Sequence, residues 1–352
     1  MKNFSKIFST ALLAGTLISP LMTKAQDIHF SQLTESLLQM NPAEAGLGHD
    51  VLAVINYKDQ WKSVSALSAY KTFNVSADMA LCRTQHGSRL GLGINFFNDK
   101  AGDAGMSSTI GNLHLSGVLA ADDNNLISAG IYGGFGQRSL QYNNLYWDMQ
   151  YDGMQYQSTL PTGEEAQTFA NHNYLDLGAG LAWFYGKGHS TMSSNDAFTA
   201  NAGFAVHHIN QPLYSFYGAN TKLPMQYVAH GMADIGLKNY NIVLEPTYLV
   251  MVQAGHHEIT GGMLCKFLLQ DASHYTGRKK PSDFGIGGYY RVNDAFIIDT
   301  RYEFSGLALG LSYDVNMSDL KAASRAKGGF EVSLRFMNPD PFSKGNSSAL
   351  FD

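Results

Sequence analysis

Residues Arg301–Phe336, which read RYEFSGLALGLSYDVNMSDLKAASRAKGGFEVSLRF, decide the fold. Two segments of this run carry an apolar side chain at every second position, with small or polar residues between them. Because successive side chains of a strand point to opposite faces, each segment has one apolar and one polar face. This pattern predicts strands that separate lipid from a polar lumen. The apolar positions are Leu307, Leu309, Leu311, Tyr313 and Val315, then Phe330, Val332, Leu334 and Phe336.

The same alternation recurs along the chain from Val51 to Phe336. It gives roughly 14 segments of the length that a tilted membrane strand needs. The mean hydropathy of −0.15 is no objection, because lipid-facing and lumen-facing residues cancel in a barrel. The net charge of −5 gives no sign of nucleic-acid binding. We therefore predict an all-β, transmembrane antiparallel β-barrel of about 14 strands in the outer membrane.

The N-terminus has the pattern of a secretory signal peptide. Lys2 and Lys6 precede a largely apolar run, and Thr23-Lys24-Ala25 has small residues at the two positions that a signal peptidase reads. The apolar run is too short for a membrane helix, which needs about 20 residues. The sequence thus predicts a signal peptide at 1–25, an N-terminal segment at 26–49, a barrel at 50–337 and a tail at 338–352.

The N-terminal segment has two open interpretations. Its apolar residues are spaced for a short amphipathic helix, and Asn41-Pro42 should end that helix. Such a segment could lie inside the lumen as a plug, or it could be a flexible periplasmic leader. The apolar residues are Phe30, Leu33, Leu37, Leu38 and Met40.

An even number of strands places both ends of the barrel on the periplasmic side. The short turns are then periplasmic, at Asp122–Asn125, Leu237–Tyr240 and Phe304–Gly306. Two longer connections, Gly186–Ala197 and Gln270–Asp283, also fall on that side. The predicted extracellular connections are Asp59–Ala69, Asn98–Ser108, Arg138–Asn173, Ile209–Met225 and Asn316–Gly328.

Four stretches together resemble the PorP/SprF family. They are QDIHFSQLTESLLQMNPAEAG from Gln26, NYKDQW at Asn56–Trp61, LYWDMQYDGMQYQSTLPTGE at Leu145–Glu164, and SYDVNMSDLKAASRAKGGFEVSL at Ser312–Leu334. The matches are collinear and extend over nearly the whole predicted mature chain. The sequence departs from the family at Lys58-Asp59, where Arg-Asn is usual, and at Asp148-Met149-Gln150, where an acidic, Gly-containing run is usual.

The resemblance implies a function that the periodicity alone does not. PorP/SprF proteins are outer-membrane components of the type IX secretion and gliding machinery of Bacteroidota. The expected partners are secreted cargo proteins with C-terminal sorting domains, periplasmic secretion-system components and outer-membrane lipid, with no nucleic acid. The alternative is an outer-membrane transporter of hydrophobic small molecules, with the N-terminal segment as its hatch.

No part of the sequence predicts an enzyme, a cofactor or a metal site. The runs His207-His208 and His256-His257-Glu258 resemble metal ligands, but adjacent residues of a strand point to opposite faces. A position at a strand end or in a loop is the favoured interpretation of both runs. Gly91, Gly93 and the glycines of 285–288 lie within strands rather than at the strand-to-helix turn of a phosphate loop. We expect these glycines to serve close packing in the lumen.

The connection Arg138–Asn173 is the best candidate for a partner-binding surface. It mixes aromatic and acidic residues, and exposed Tyr and Trp are typical of interface anchors. The alternative is an aromatic girdle above the membrane with a loop folded on itself. The connection also contains Tyr142, Glu164, Glu165 and Phe169. The candidate binding residues are Tyr146, Trp147, Asp148, Tyr151, Asp152 and Tyr156.

Overall fold

The computed structural model describes residues 29–60, 69–102, 104–141, 145–163, 171–188, 195–215, 221–270, 280–318 and 321–338. The predicted signal peptide and residues 339–352 of the predicted tail lie outside the described residues. So do Trp61 and, in the long connection, Tyr142, Glu164, Glu165 and Phe169. The boundaries at 25 and 337 therefore stay predictions.

Fourteen antiparallel strands close into a barrel, as the alternation predicts. Each strand pairs with its sequence neighbours, and β1 pairs with β14 to complete the ring. The strands are β1 Val51–Gln60, β2 Tyr70–Leu81, β3 Arg89–Ala101, β4 Met106–Ala120, β5 Asn125–Ser139, β6 His172–Lys187, β7 Phe198–His207, β8 Gln226–Gly236, β9 Ile242–Gln253, β10 His256–Gln270, β11 Ser282–Arg291, β12 Ala295–Phe304, β13 Leu307–Asn316 and β14 Lys327–Asn338.

The outward face is apolar along the predicted positions. Leu309 and Leu311 of β13 and Leu334 of β14 are exposed, while Ser312 and Glu331 are buried inside. Exposed Leu, Ile and Phe side chains continue around the barrel on β3 to β6 and β12. The predicted division between outward and inward side chains on these strands is confirmed.

The barrel has two distinct ends. We name the end where β1 begins and β14 finishes the terminal end, and the opposite end the loop end. The loop end carries the connections 61–69, 102–105, 140–171, 208–225, 254–255, 292–294 and 317–326. The last of these contains a short helix, α2 (Lys321–Ser324).

The connection between β3 and β4 is shorter than the predicted extracellular connection Asn98–Ser108. Only residues 102–105 connect β3 to β4, because the polar residues on either side continue the strand pairing. Asn98 Nδ2 donates to Thr109 Oγ1 at 2.7 Å and to Ser107 Oγ at 3.2 Å. Near the loop end of β3 and β4, polar side chains therefore form hydrogen bonds between the two strands, and these residues do not belong to a loop.

Residues 29–49 lie inside the barrel, and we call them the plug. His29 lies near the loop end, where its Nδ1 is 3.1 Å from Glu258 Oε2 close to the start of β10. Asp50 enters β1 at the terminal end, where Ala80 N donates to its carbonyl oxygen at 2.8 Å. The plug therefore runs the length of the lumen. The start of β1 and the end of β14 lie together at the terminal end, as predicted, but the first described residue, His29, lies near the loop end.

The plug is more broken than the predicted amphipathic helix. Helix α1 (Leu37–Met40) has a single turn, flanked by 3-10 turns at Leu33–Glu35 and Pro42–Glu44. The helix ends before Pro42 as expected, and Asn41 Oδ1 accepts from Ala43 N at 2.9 Å to cap the second 3-10 turn. A long helix would present one apolar face, whereas this segment is surrounded by wall on all sides.

Apolar plug residues fill two clusters inside the barrel. Leu33 and Met40 pack against Val228, Leu249 and Ile297, and Ala43 and Leu47 pack in a second cluster. The lumen is thus partly a dry core rather than a wholly polar channel. The second cluster adds Val118, Leu126 and Ala182 from the wall.

Among the described residues, no helix has the length and apolar character needed to cross a membrane.

Candidate functional site: the plugged lumen and a surface loop

The start of the plug is held by a charged wall, which we define as the inner face of β9–β14 and β1. The Glu331 carboxylate accepts the backbone N–H of Ser31 at 2.7 Å and of Gln32 at 3.1 Å. Ser31 Oγ donates a hydrogen bond to Asp314 at 2.8 Å and accepts one from Arg291 Nη2 at 3.0 Å. Buried plug backbone is therefore satisfied by side chains of the wall.

Glu35 ties the middle of the plug to the same wall. Its Oε1 accepts from Arg301 Nη1 at 3.0 Å and from Arg335 Nη1 at 3.1 Å. Arg301 Nη2 also reaches Glu245 Oε2 at 2.5 Å, and Lys266 Nζ contacts that same oxygen at 2.5 Å. All of these groups are largely buried, so removing one partner leaves an uncompensated charge.

The later part of the plug lies on a glycine wall, the inner face of β3–β7. A Cβ added at Gly91 would stand 1.9 Å from Ala45 O, and one at Gly130 would stand 2.5 Å from Pro42 O. Gly180 and Gly203 leave room for the Asn41 amide in the same way. Close packing in the lumen, predicted for Gly91, is thus contact with the plug. Ser116 and Ser128 complete the wall, donating at 2.6 Å to Ala45 O and Ala43 O respectively.

The plug separates two cavities. The loop-end cavity, of about 340 Å³, has plug residues Phe30 and Met40 in its lining, together with Tyr132 and Tyr174 of the wall. The terminal-end cavity, of about 420 Å³, lies on the other side of the plug, with Leu38 and Glu44 in its lining.

The expectation that His207 and His208 point to opposite faces is wrong, whereas their predicted position at a strand end is confirmed. Strand β7 ends at His207, and His208 has a φ of +56°, so both rings line the loop-end cavity. His208 Nδ1 is 2.9 Å from Asp176 Oδ1, and His207 Nε2 is 2.8 Å from Met40 O of the plug. Tyr132 links the two, because its hydroxyl donates to Asp176 at 2.8 Å and lies 3.2 Å from His207 Nδ1.

In the part of the chain that the structure describes, this histidine pair is not part of a larger group of metal-ligating side chains. Within the described ranges, no group of three or more His, Cys, Asp or Glu side chains is placed to hold an ion. His256 and His257 are both exposed at the start of β10. Their neighbour Glu258 is buried and faces His29 and Arg291 instead.

The described part of the surface loop, residues 145–163, folds on itself. A 3-10 turn spans Asp148–Gln150, and a bridge pairs Tyr151 with Tyr156. Gln150 is buried within the folded loop. Its Oε1 accepts a hydrogen bond from Tyr156 OH at 3.0 Å, and its Nε2 donates one to Leu160 O at 3.2 Å. The loop is therefore ordered by its own side chains.

Asp152 organises the tip of this loop. Its Oδ1 accepts the N–H groups of Met154 and Gln155, both at 2.8 Å, and its Oδ2 accepts from Gln157 at 2.5 Å. The N–H groups of Gln155 and Met154 hold the pKa of Asp152 below its usual range. Asp152 thus shapes the turn, whereas Asp148 is exposed.

Three of the candidate aromatic residues form an exposed face on the folded loop. Tyr146 is 78% exposed and Tyr151 is 57% exposed. The Tyr146 and Tyr156 rings meet edge to face with centroids 4.8 Å apart. Trp147 is half-buried. Sequence reasoning located this loop but could not separate its exposed tyrosines from Trp147 and Asp152, whose surroundings depend on the fold of the loop.

These features define a plugged outer-membrane β-barrel that carries a folded surface loop. Residues 22–336 match the family described as type IX secretion system membrane protein PorP/SprF. The chain belongs to that family. The resemblance noted in the sequence is confirmed.

Solved barrels are similar to this chain only at low identity. BamA from Haemophilus ducreyi lacking POTRA domains 1–3 is 9% identical over 82% of this chain and 70% of that one, with a TM-score of 0.44. The Ralstonia pickettii toluene transporter TbuX is 11% identical over 87% and 93%, with a TM-score of 0.46. The translocator domain of autotransporter NalP from Neisseria meningitidis is 10% identical over 86% and 93%, with a TM-score of 0.39. A search of the curated proteins finds no match.

Proposed function

We propose that this protein is a non-enzymatic partner or surface anchor in type IX secretion and gliding. It supports secretion or surface retention of cargo that bears a C-terminal sorting domain. The family match is the basis of the secretion role. The observation that carries the binding role is the exposed tyrosine face on residues 145–163, because large, rigid aromatic side chains dominate interface energetics.

The plug favours this function over transport of hydrophobic small molecules. It fills the space between the two cavities and is held by buried ion pairs on one side and by close backbone packing on the other. A transporter would need to release these contacts in each cycle. A partner protein needs no path through the lumen.

The orientation that fits this role places the terminal end in the periplasm and the loop end outside the cell. Cysteine introduced at Gly153 should react with an impermeant maleimide in intact cells, whereas cysteine at Asn124 should not. Both variants carry serine in place of Cys82 and Cys265, the free native cysteines. The reverse labelling pattern would overturn the orientation.

The binding role is tested by replacing Tyr146 and Tyr151 with Ala together. If they are hot spots, partner affinity should fall by about 2–4 kcal/mol, and cells should lose sorting-domain cargo from their surface. Barrel folding should be unchanged, since a loop tip contributes little to strand pairing.

The matched control is Tyr240→Ala, which removes a 64% exposed tyrosine from the turn between β8 and β9 at the other end of the barrel. Heat-modifiable gel mobility would verify that each variant barrel is intact. Undiminished cargo retention in the double variant would contradict the assignment of binding to this loop. Defective uptake of hydrophobic compounds with normal retention would favour the transporter.

A further inference from the structure

The terminal-end cavity is lined by more acidic than basic side chains. Six carboxylates line it, against two permanent cations, Lys266 and Arg335, and one histidine, His49. Most of these carboxylates have a partner within the structure. Lys266 contacts Asp234 and Glu245, Arg335 contacts Glu303 at 2.6 Å, and His49 contacts Asp78. The six are Glu44, Asp78, Asp234, Glu245, Asp283 and Glu303.

Two of the buried carboxylates keep an oxygen without a hydrogen-bond partner among the described residues. Glu44 is only 4% exposed, and its Oε2 accepts from Asn201 at 2.8 Å while its Oε1 has no donor. His230 Nε2 is 3.6 Å from that oxygen, but this nitrogen accepts from the Asn41 amide and has no proton to donate. Glu245 is 1% exposed; both of its cations reach Oε2, and Oε1 is left unbonded.

Asp283 and Glu303 give a second reason why a cation would be stabilised in this cavity. They lie directly opposite each other in the register of β11 and β12. Like charges in directly opposed positions are destabilising. Glu303 is compensated by Arg335, whereas Asp283 Oδ1 has no hydrogen-bond partner among the described residues. A cation placed at this side of the cavity would relieve both the repulsion and the unsatisfied oxygen.

The remaining lining is apolar. Leu38 and Leu47 of the plug face the cavity together with Phe184, Met232 and Met337 of the wall. An aliphatic stem with a cationic head complements such a surface, because Lys and Arg bury their methylene groups against apolar atoms and present the charge at the tip. A divalent metal ion fits poorly, since no metal-binding group of side chains is present in the described part of the chain.

We propose that the terminal-end cavity binds an arginine or lysine side chain of a partner protein. The inference rests on the proposed function, because the partner would then be a component of the secretion machinery on the periplasmic side. Glu44 and Asp283 each offer the cationic head a carboxylate oxygen that lacks a hydrogen-bond partner among the described residues. Leu38 and Phe184 pack along its stem.

The test uses the full-length barrel in lipid nanodiscs and two small probes of nearly equal shape. Acetyl-arginine amide carries the guanidinium, and acetyl-citrulline amide replaces it with a neutral urea. Ligand-observed NMR titrations should give saturable binding of the arginine probe. The affinity of the citrulline probe should be lower by at least about tenfold, since hydrogen bonds to charged groups contribute more than neutral ones.

The variant Glu44→Gln/Asp283→Asn keeps the shape of both side chains and should weaken the arginine probe by at least about tenfold. The control Asp123→Asn removes an exposed carboxylate from the turn between β4 and β5 at the same end, and should leave binding unchanged. Heat-modifiable mobility checks the fold of each variant. If the double variant fails to fold, the comparison of the two probes on the unmodified protein still decides.

Equal binding of the two probes would overturn the proposal, and so would unchanged binding in the double variant. Displacement of the arginine probe by Mg²⁺ at constant ionic strength would also overturn it, because the cavity would then be an inorganic cation site. Probe binding is measured without cargo. A negative result in the probe-binding experiment would therefore not affect the cargo-retention result or the proposed function.

Discussion

The two sides of the lumen hold the same plug by different physical means. The charged wall uses long side chains, and Arg301, Arg335 and Glu331 reach inward to the first part of the plug. The glycine wall uses the absence of side chains, so that Ala45 and Pro42 approach the backbone of β3 and β5 directly. Attachment through charge depends on a few replaceable groups, whereas attachment through close packing is disturbed by an added atom.

The largest loss of stability should come from the charged wall. Replacing Arg301 with Gln removes one cation from both Glu35 and Glu245, and we expect a loss of about 3–5 kcal/mol of unfolding free energy. Denaturant unfolding from lipid vesicles measures it. The control Arg83→Gln concerns a partly exposed side chain 3.9 Å from Asp50, and should cost at most about 1 kcal/mol. Similar losses for the two variants would refute the structural importance of the buried network.

A smaller loss is expected on the outward face, away from both walls. Leu311→Arg in the middle of β13 should cost about 2–4 kcal/mol, because it places a charge against lipid. Thr199→Arg is the inward control, since Thr199 lines the terminal-end cavity beside Asp234 and an added cation there meets carboxylates. If both substitutions cost the same in vesicle unfolding, the assignment of inner and outer faces is incorrect.

The glycine wall should show the smallest of the three effects. Gly91→Ala introduces a Cβ that would collide with Ala45 O, and overpacking of this kind costs about 1–3 kcal/mol. Gly117→Ala on neighbouring β4 is the control, because a Cβ at that position meets nothing within 4 Å. Limited proteolysis should cut the plug faster in Gly91→Ala than in Gly117→Ala. Equal cleavage rates would show that the plug does not depend on this close approach.

The sequence predicted the barrel well because alternation is a local property. The residues next to Leu309 and Ser312 are enough to predict that the first points outward and the second inward. The same pattern repeated over 14 strands predicts a closed barrel. Strand ends were less predictable. Asn98 and Ser107 are polar like loop residues, yet they belong to the paired strands β3 and β4.

The plug contacts could not be read from the sequence for a physical reason. Gly91 and Gly180 appear as small lumen residues, and nothing near them in the chain indicates that Ala45 and Asn41 will rest on them. Such contacts join residues that are distant in sequence, and they depend on the register of the whole barrel. His207 and His208 illustrate the same limit, because a left-handed residue at a strand end brings both rings to one cavity.

The central claim is that residues 29–49 close the lumen. Ion conductance of the purified protein in planar lipid bilayers tests it most directly. The intact protein should show almost no steady conductance, and a variant lacking residues 31–47 should form a stable open pore if its barrel retains heat-modifiable mobility. An open pore in the intact protein, equal in conductance to that of the deletion variant, would contradict the account.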